Sequence, residues 1–596
     1  MENMSQQIGI HKSAESEKGL TSLPLIKRNY LFLFVFCFLS FNGFIIYFIG
    51  QEHYVYFWDY SGYWNQYKDL SNLFRHSPIH AVKALITSIR YDDYNSLPVL
   101  FLVPFNFIFG DSRLAYVLSI TNLFVLPTVV AFGLLMEKIV SIPWERRSFA
   151  VYFISILTAA SFPHLWIPVV LGKVDISGML VINLILLFYI DKPVEKQGFV
   201  NLLLIGTLLC ILILLRRWYA YWVVAFFVSM TLERIVSSFR EYRFKIGAYL
   251  PFLKIVIIGV FSVLLFFLIA GPVAKRMLLT NYADIYSAYK TSKTTGQAFL
   301  RVCSSLGIFF ISLAFMGLVK SLGGNKTRRL SFFLLILLIV TFFLFSRTQD
   351  FATQHYYLLI PTVLIYISFL LVSLYRILNG RASKIIFLVV CFVLLSINFS
   401  VVFFPKAPVL LKRITYLLPQ ERSFPLVRTD LDQIHSLINV LNTIAQTNRD
   451  NIYVMSSSTI LNDDILRNAC NEDKRSKDMC GRIQPSSNVD KRDGFPFQFL
   501  TARYVVVADP VQYHLSPDDQ RVIGIPAEMI LHQKEIGSSY KRLSYAFTLD
   551  NDVRVFIYEK IKPFSGTDLD NLSKMFISYY PDKEDIFRID HVLYSQ

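Results

Sequence analysis

Up to about residue 404 the chain alternates between long uncharged apolar stretches and short polar breaks, at lengths that suit a bilayer. Stretches 29–50 (NYLFLFVFCFLSFNGFIIYFIG) and 385–404 (IIFLVVCFVLLSINFSVVFF) are each long enough to cross the hydrocarbon core as a helix. Similar stretches at 113–136, 148–165, 174–190, 199–215, 218–236, 250–270, 304–320, 330–346 and 358–376 bring the predicted number of transmembrane helices to about eleven. The stretch 97–109 (LPVLFLVPFNFIF) is apolar but short and holds Pro98 and Pro104, so it reads as an interfacial or re-entrant element.

From about residue 405 the pattern changes. Residues 431–446 (LDQIHSLINVLNTIAQ) repeat at helical spacing. NIYVMSSS (451–458), ARYVVVADP (502–510) and the runs flanking Asp550-Asn551-Asp552 read as strands, the last two as a hairpin. Residues 468–498 are polar and turn-rich and read as a loop. At about 190 residues, this tail is long enough to bury a core of its own. The predicted fold is an α-helical polytopic membrane protein with a cytoplasmic N-terminal tail (1–28), a transmembrane module (29–404) and a C-terminal extracytoplasmic α/β domain (405–596).

Composition agrees with that class: 54% of residues are hydrophobic and 15% aromatic. The formal net charge of +16 is spread through short loops between spans rather than gathered in one patch. It therefore reads as a topology signal, and no nucleic-acid partner is expected. Treating 97–109 as non-spanning places Lys138, Arg146 and Arg147; Lys192 and Lys196; Arg234, Arg240, Arg243 and Lys245; Lys320, Lys326, Arg328 and Arg329; and Arg376, Arg381 and Lys384 on the cytoplasmic side. The N-terminus is then inside and the tail outside, in the periplasm if the membrane is a bacterial inner membrane. An endoplasmic-reticulum enzyme would present the same topology. The first span is too long for a signal-peptide core and lacks a small-residue cleavage site, so it is expected to stay as an anchor. Of six cysteines, only Cys470 and Cys480 lie in the polar tail, where an oxidising compartment would let them close a short loop. Two free thiols are the alternative.

Charged residues at the outer ends of spans are costly unless used, and they carry the candidate chemistry. Asp59 stands in HYVYFWDYSGYWNQYKDL (53–70) directly after the first span, with Tyr63 four residues on, so that both can share a helical face. A capping or solvated acid is the plainer reading. Asp92 and Asp93 precede the short apolar element, where a turn signal also accounts for them. Lys173 and Asp175 open a later span, a place for snorkelling or capping. Arg216 and Arg217 run against the topology rule on the outer side, where arginine forks suit phosphate. Arg347 and His355 add a second cationic point there. Acids and arginines converging on one membrane face suit group transfer from a lipid-linked phosphate donor to an acceptor hydroxyl. A phosphate leaving group needs cationic stabilisation but no protonation, so one carboxylate, Asp59, suffices as general base.

The layout resembles the GT-C superfamily of membrane glycosyltransferases. WDYSGYW (58–64) follows the first span, YNSLPVLFLVPFNFIFGDSRLAYVLS (94–119) comes next, Asp175 opens KVDISGMLVINLILLFYI (173–190), and HYYLLIP (355–361) comes late. The resemblance covers about residues 29–376 and rests on layout more than on a strict motif. It implies that Asp59 is the base, that Asp92, Asp93 and Asp175 line the acceptor or metal side, and that the arginines hold the lipid phosphate. Asp59 is followed by Tyr60 where mannosyltransferases of this kind have a second acid, and the Asp92–Asp93 site lacks a basic residue found in the aminoarabinose enzyme. Cofactor need stays open, with a divalent metal at Asp59 and Asp175 as one option. Expected partners are a lipid-linked sugar donor and an envelope glycan, lipid or protein acceptor, with inversion at the sugar. The alternative is a transporter, flippase or polymerase of a lipid-linked envelope saccharide. A transporter predicts paired half-repeats and midplane charges, and neither is evident.

Overall fold

The computed structural model describes residues 23–144, 148–241, 249–446, 450–472 and 477–594. Most of the N-terminal tail 1–28, and the topology residues Arg146, Arg147, Arg243 and Lys245, lie outside the described residues.

The protein is a polytopic bundle of apolar helices carrying a small α/β tail. Among the described residues, seven helices are long and apolar enough to cross a membrane, from Arg28–Ile49 to Arg381–Phe403. Two bent helix pairs raise this to nine, and Ile176–Asp191 and Phe199–Leu215 are apolar but shorter. All eleven predicted stretches are thus helical, but a count of eleven spans needs those two short helices as well. Basic residues predicted to face the cytoplasm also make specific pairs: Arg234 meets Glu195 at 2.6 Å and Glu233 at 3.0 Å.

Several predicted boundaries move. The expected span 304–320 is broken: Thr295–Leu306 and Ile308–Gly323 meet at 104°. Gly307 sits at the corner with φ +88°, where a Cβ would lie 2.5 Å from the backbone nitrogen of Pro419. The helix expected to end near 270 runs on from Leu250 to Leu279, kinking at Ala270 beside Pro272. The segment 97–109 is two short helices, Leu97–Leu100 and Val103–Phe109. Its Phe101, Phe107, Ile108 and Phe109 are exposed, which fits an interfacial element.

In the tail, four strands form one sheet: β1 (Ile452–Met455), β2 (Tyr504–Asp509), β3 (Tyr540–Leu549) and β4 (Val553–Lys560), in the order β1-β2-β4-β3. β1 and β2 are parallel, whereas β4 runs antiparallel to β2 and β3. The β3–β4 turn places Asn551 and Asp552 at φ 59° and 58°, a conformation that Asn and Asp tolerate better than most residues. Alternating side chains cover both faces of the sheet. Val454, Val506, Val555 and Ile557 join one buried cluster, and Tyr453, Val505, Val507 and Phe556 join another. The region 468–498, expected as a loop, contains the helices Lys477–Cys480 and Asp490–Asp493 and the end of Asp463–Glu472. Cys470 and Cys480 form a disulfide there.

The tail does not close its core alone. Val55 and Phe57, from the loop after the first span, are buried within the first of its two clusters. His53 forms a bridge to the 426–428 segment through its N–H to the Leu426 carbonyl (3.0 Å) and its carbonyl to the Arg428 N–H (2.8 Å).

Candidate active site

Asp59 lies in a 3-10 turn, Trp58–Tyr60, ahead of the helix Gly62–His76. The helical face expected to join Asp59 to Tyr63 is therefore not formed. Trp58, which opens the turn, has a left-handed φ of 46° that costs a bulky residue about 1–3 kcal/mol. The tail helix Asp463–Glu472 holds this turn in place. Asp464 Oδ2 accepts the Trp58 N–H at 2.6 Å, and Asn468 Nδ2 donates to the Tyr56 carbonyl (2.9 Å) and to Ser61 Oγ (3.2 Å). Asp59 is thus gripped from both sides in sequence.

Lys173 Nζ stands 3.5 Å from Asp59 Oδ2 and donates to Gln354 Oε1 (2.8 Å) and Thr353 Oγ1 (3.2 Å). It occupies the break between the helices Pro163–Val170 and Ile176–Asp191. The turn there needs Gly172, at φ +76°, because a Cβ would run into the Arg113 guanidinium. Arg113 Nη1 in turn donates to the Tyr60 carbonyl at 2.6 Å, so one contact set braces both partners of the Asp59–Lys173 pair.

Both face a cavity of about 590 Å3 that is also lined by Asp93, Arg216, Arg217 and His355. About half of the Asp59 side-chain surface is open, and it opens into this cavity. Burial there pushes its carboxyl upward, but Lys173 and Arg216 outweigh burial and hold it below the usual carboxylate range. Burial, followed by the same two cations, pushes His355 down to about 3, so its imidazole is neutral. His355 Nδ1 accepts the Ala352 N–H at 3.1 Å, and its ring meets Trp218 edge-on.

The other candidate residues separate into three groups. Asp175 and Tyr63 are buried supports: Arg216 Nε lies 2.6 Å from Asp175 Oδ1, and Arg216 Nη1 donates to Tyr63 Oη at 2.7 Å. Asp93 bridges two arginines, pairing with Arg217 and with Arg276, whose Nη2 lies at 2.6 Å. Asp92 and Arg347 are exposed and do not line the cavity. Asp175, engaged with Arg216, and Asp59, facing Lys173, do not fit a divalent ion shared between them. Among the described residues, no group of three His, Cys, Asp or Glu side chains is placed to hold a metal.

Several lining residues were not singled out from sequence. Tyr282, Tyr286 and Tyr289 form one wall, and their spacing of four and three residues was a readable helical signal. Arg217 donates to Tyr286 Oη and stacks over Tyr282. Asn488, Arg492 and His514 reach the cavity from the tail, where nothing local in sequence points toward a site beside Asp59.

Two solved structures align along most of the chain. ArnT from Cupriavidus metallidurans bound to undecaprenyl phosphate is 14% identical with a TM-score of 0.46, covering 89% of this chain and 98% of that one. The apo form of the same protein gives 13% identity and a TM-score of 0.44 over the same shares. No protein-family model matches the chain. No curated protein matches it either.

Proposed function

We propose that this chain is an inverting glycosyltransferase that moves a sugar from a lipid-linked phosphate donor to an acceptor hydroxyl at the outer face of the membrane. The observation that carries this reading is a carboxylate held anionic on a cavity wall, with cationic side chains on the same wall. Asp59 accepts the proton of the acceptor hydroxyl as its oxygen bonds to the sugar C1. The C1–O bond to the phosphate breaks in the same step, and the bonding pair leaves with the lipid phosphate. Attack opposite the leaving group inverts C1.

Charge balance supports a position for the phosphate. Lys173 and Arg216 are matched by Asp59 and Asp175, whereas Arg217 and Arg276 share the single carboxylate of Asp93. Sharing Asp93 with Arg276 leaves Arg217, which lines the cavity beside Tyr286, with positive charge to stabilise the departing phosphate. Arg216, buried on Asp175 and Tyr63, positions the site rather than leading the phosphate contact.

Asp59→Asn in the full-length protein tests the reading. Transfer of sugar from an undecaprenyl-phosphate donor is expected to fall by about 10²–10⁴-fold with insertion and thermal stability retained. Full transfer by this variant overturns the role of Asp59.

A further inference from the structure

Resting on the glycosyl-transfer reading of the cavity, we infer that His514 of the tail forms a subsite for a hydroxyl group of a sugar ring bound in the cavity, next to the catalytic carboxylate. His514 lines the cavity with its ring against the indole of Trp58, the residue before Asp59, at a centroid distance of 4.6 Å.

The hydrogen-bond pattern decides what His514 presents. Gln520 is fully buried, and three backbone groups set its amide orientation. Its Oε1 accepts the N–H groups of His514 (3.0 Å) and Leu515 (2.9 Å), while its Nε2 donates to the Asn488 carbonyl at 2.6 Å. The same Nε2 lies 3.0 Å from His514 Nδ1 and can only donate to it. Ser457 Oγ lies 2.7 Å from that nitrogen as well. Nδ1 is therefore an acceptor, and a neutral His514 carries its proton on Nε2. Burial pushes the ring down to about 4; the Ser457 backbone opposes this, Arg492 pushes the same way as burial, and Asp493 opposes.

His514 thus offers the cavity one neutral N–H donor. Such a donor suits a hydroxyl oxygen, which accepts. A phosphate fits this corner poorly, because Arg492, the nearest cation, is spent on Asp493 (2.7 and 2.9 Å) and Tyr289 Oη (2.9 Å). The indole of Trp58 adds an apolar surface of the kind that packs against a sugar ring.

Two measurements on the full-length protein test the subsite. In protein labelled with 15N-histidine, with the His514 signal identified by its loss in His514→Gln, the Nε2–H tautomer should persist from about pH 8 to about pH 6. A Nδ1–H tautomer, or a midpoint near the ordinary histidine value, overturns the inference. Binding of uncharged methyl glycosides and their monodeoxy analogues is then followed by tryptophan fluorescence. In wild type, removing one particular hydroxyl should weaken binding about tenfold, the worth of one hydrogen bond. His514→Phe should bind the parent and that deoxy analogue equally, and His514→Gln, which keeps an N–H donor, should restore most of the difference. No glycoside binding to wild type, or the same deoxy penalty in His514→Phe, overturns the subsite. Undecaprenyl phosphate binding should be unaffected by either variant. Its absence in wild type would count against the lipid-phosphate donor and leave the subsite standing on the glycoside data.

Discussion

Lys173 sets the protonation state of Asp59 as much as it neutralises it. Burial alone drives the Asp59 carboxyl up, and the ammonium 3.5 Å away is the foremost influence in the opposite direction. Removing that cation leaves only Arg216 to oppose burial strongly, so Lys173→Met raises the Asp59 pKa. A base must be ionised to act, so the acid limb of kcat/KM should move to higher pH in Lys173→Met, measured as a full pH profile. Movement to lower pH would contradict the pairing. Arg217→Ala and Arg276→Ala each remove the single surplus positive charge around Asp93. Donor KM is expected to rise about tenfold or more in each, with acceptor KM little changed. At this scale the sequence showed which charged side chains stand out, but not how they divide. Asp175 and Arg216 were conspicuous for the same reason as Asp59. Only packing shows that they are buried on each other, while Asp59 faces open space.

The helix Asp463–Glu472 shows what an element adds. Through Asp464 and Asn468 it holds the turn on either side of Asp59, against the strain of Trp58. Asp464→Ala frees the Trp58 N–H and lets the turn relax. The expected result is a fall in kcat of about ten- to a hundredfold with donor affinity within about twofold, since misplacement by an ångström costs that much. Asp464→Asn keeps an acceptor oxygen and should recover part of the loss. An unchanged kcat in Asp464→Ala would remove the helix from this role. The sequence placed 431–446 as a helix and the β3–β4 hairpin correctly, because period and turn residues are local. It read the 468–498 region as loop because the helices there are short, polar and held by tertiary contacts and a disulfide.

Across the whole molecule, tail and membrane module are interlocked rather than strung together. Val55 and Phe57 enter the tail's core, Lys491 and Lys583 pair with Asp284 at 3.4 and 3.0 Å, and Arg492 bonds Tyr289. Loss of order in the tail therefore reaches the cavity. The Cys470–Cys480 bridge closes a short loop at the end of the clamping helix, with an expected stabilisation of about 2–3 kcal/mol. Cys470→Ser should lower the melting temperature by about 5–10 °C and reduce transfer in parallel. Melting unchanged by the substitution would show the bridge to be dispensable.

By itself the sequence determined that the chain crosses a membrane several times, that an α/β tail follows, and that acids and arginines gather at the ends of apolar helices. Each of these rests on local quantities: the length of an apolar run, the period of a pattern, or the cost of a charge beside lipid. Tertiary structure decided the rest. It chose Asp59 over Asp92 for the cavity, broke the span at Gly307, and brought His514 within 4.6 Å of Trp58 across more than four hundred residues of chain. Such pairings depend on how distant segments pack, and no local pattern encodes that.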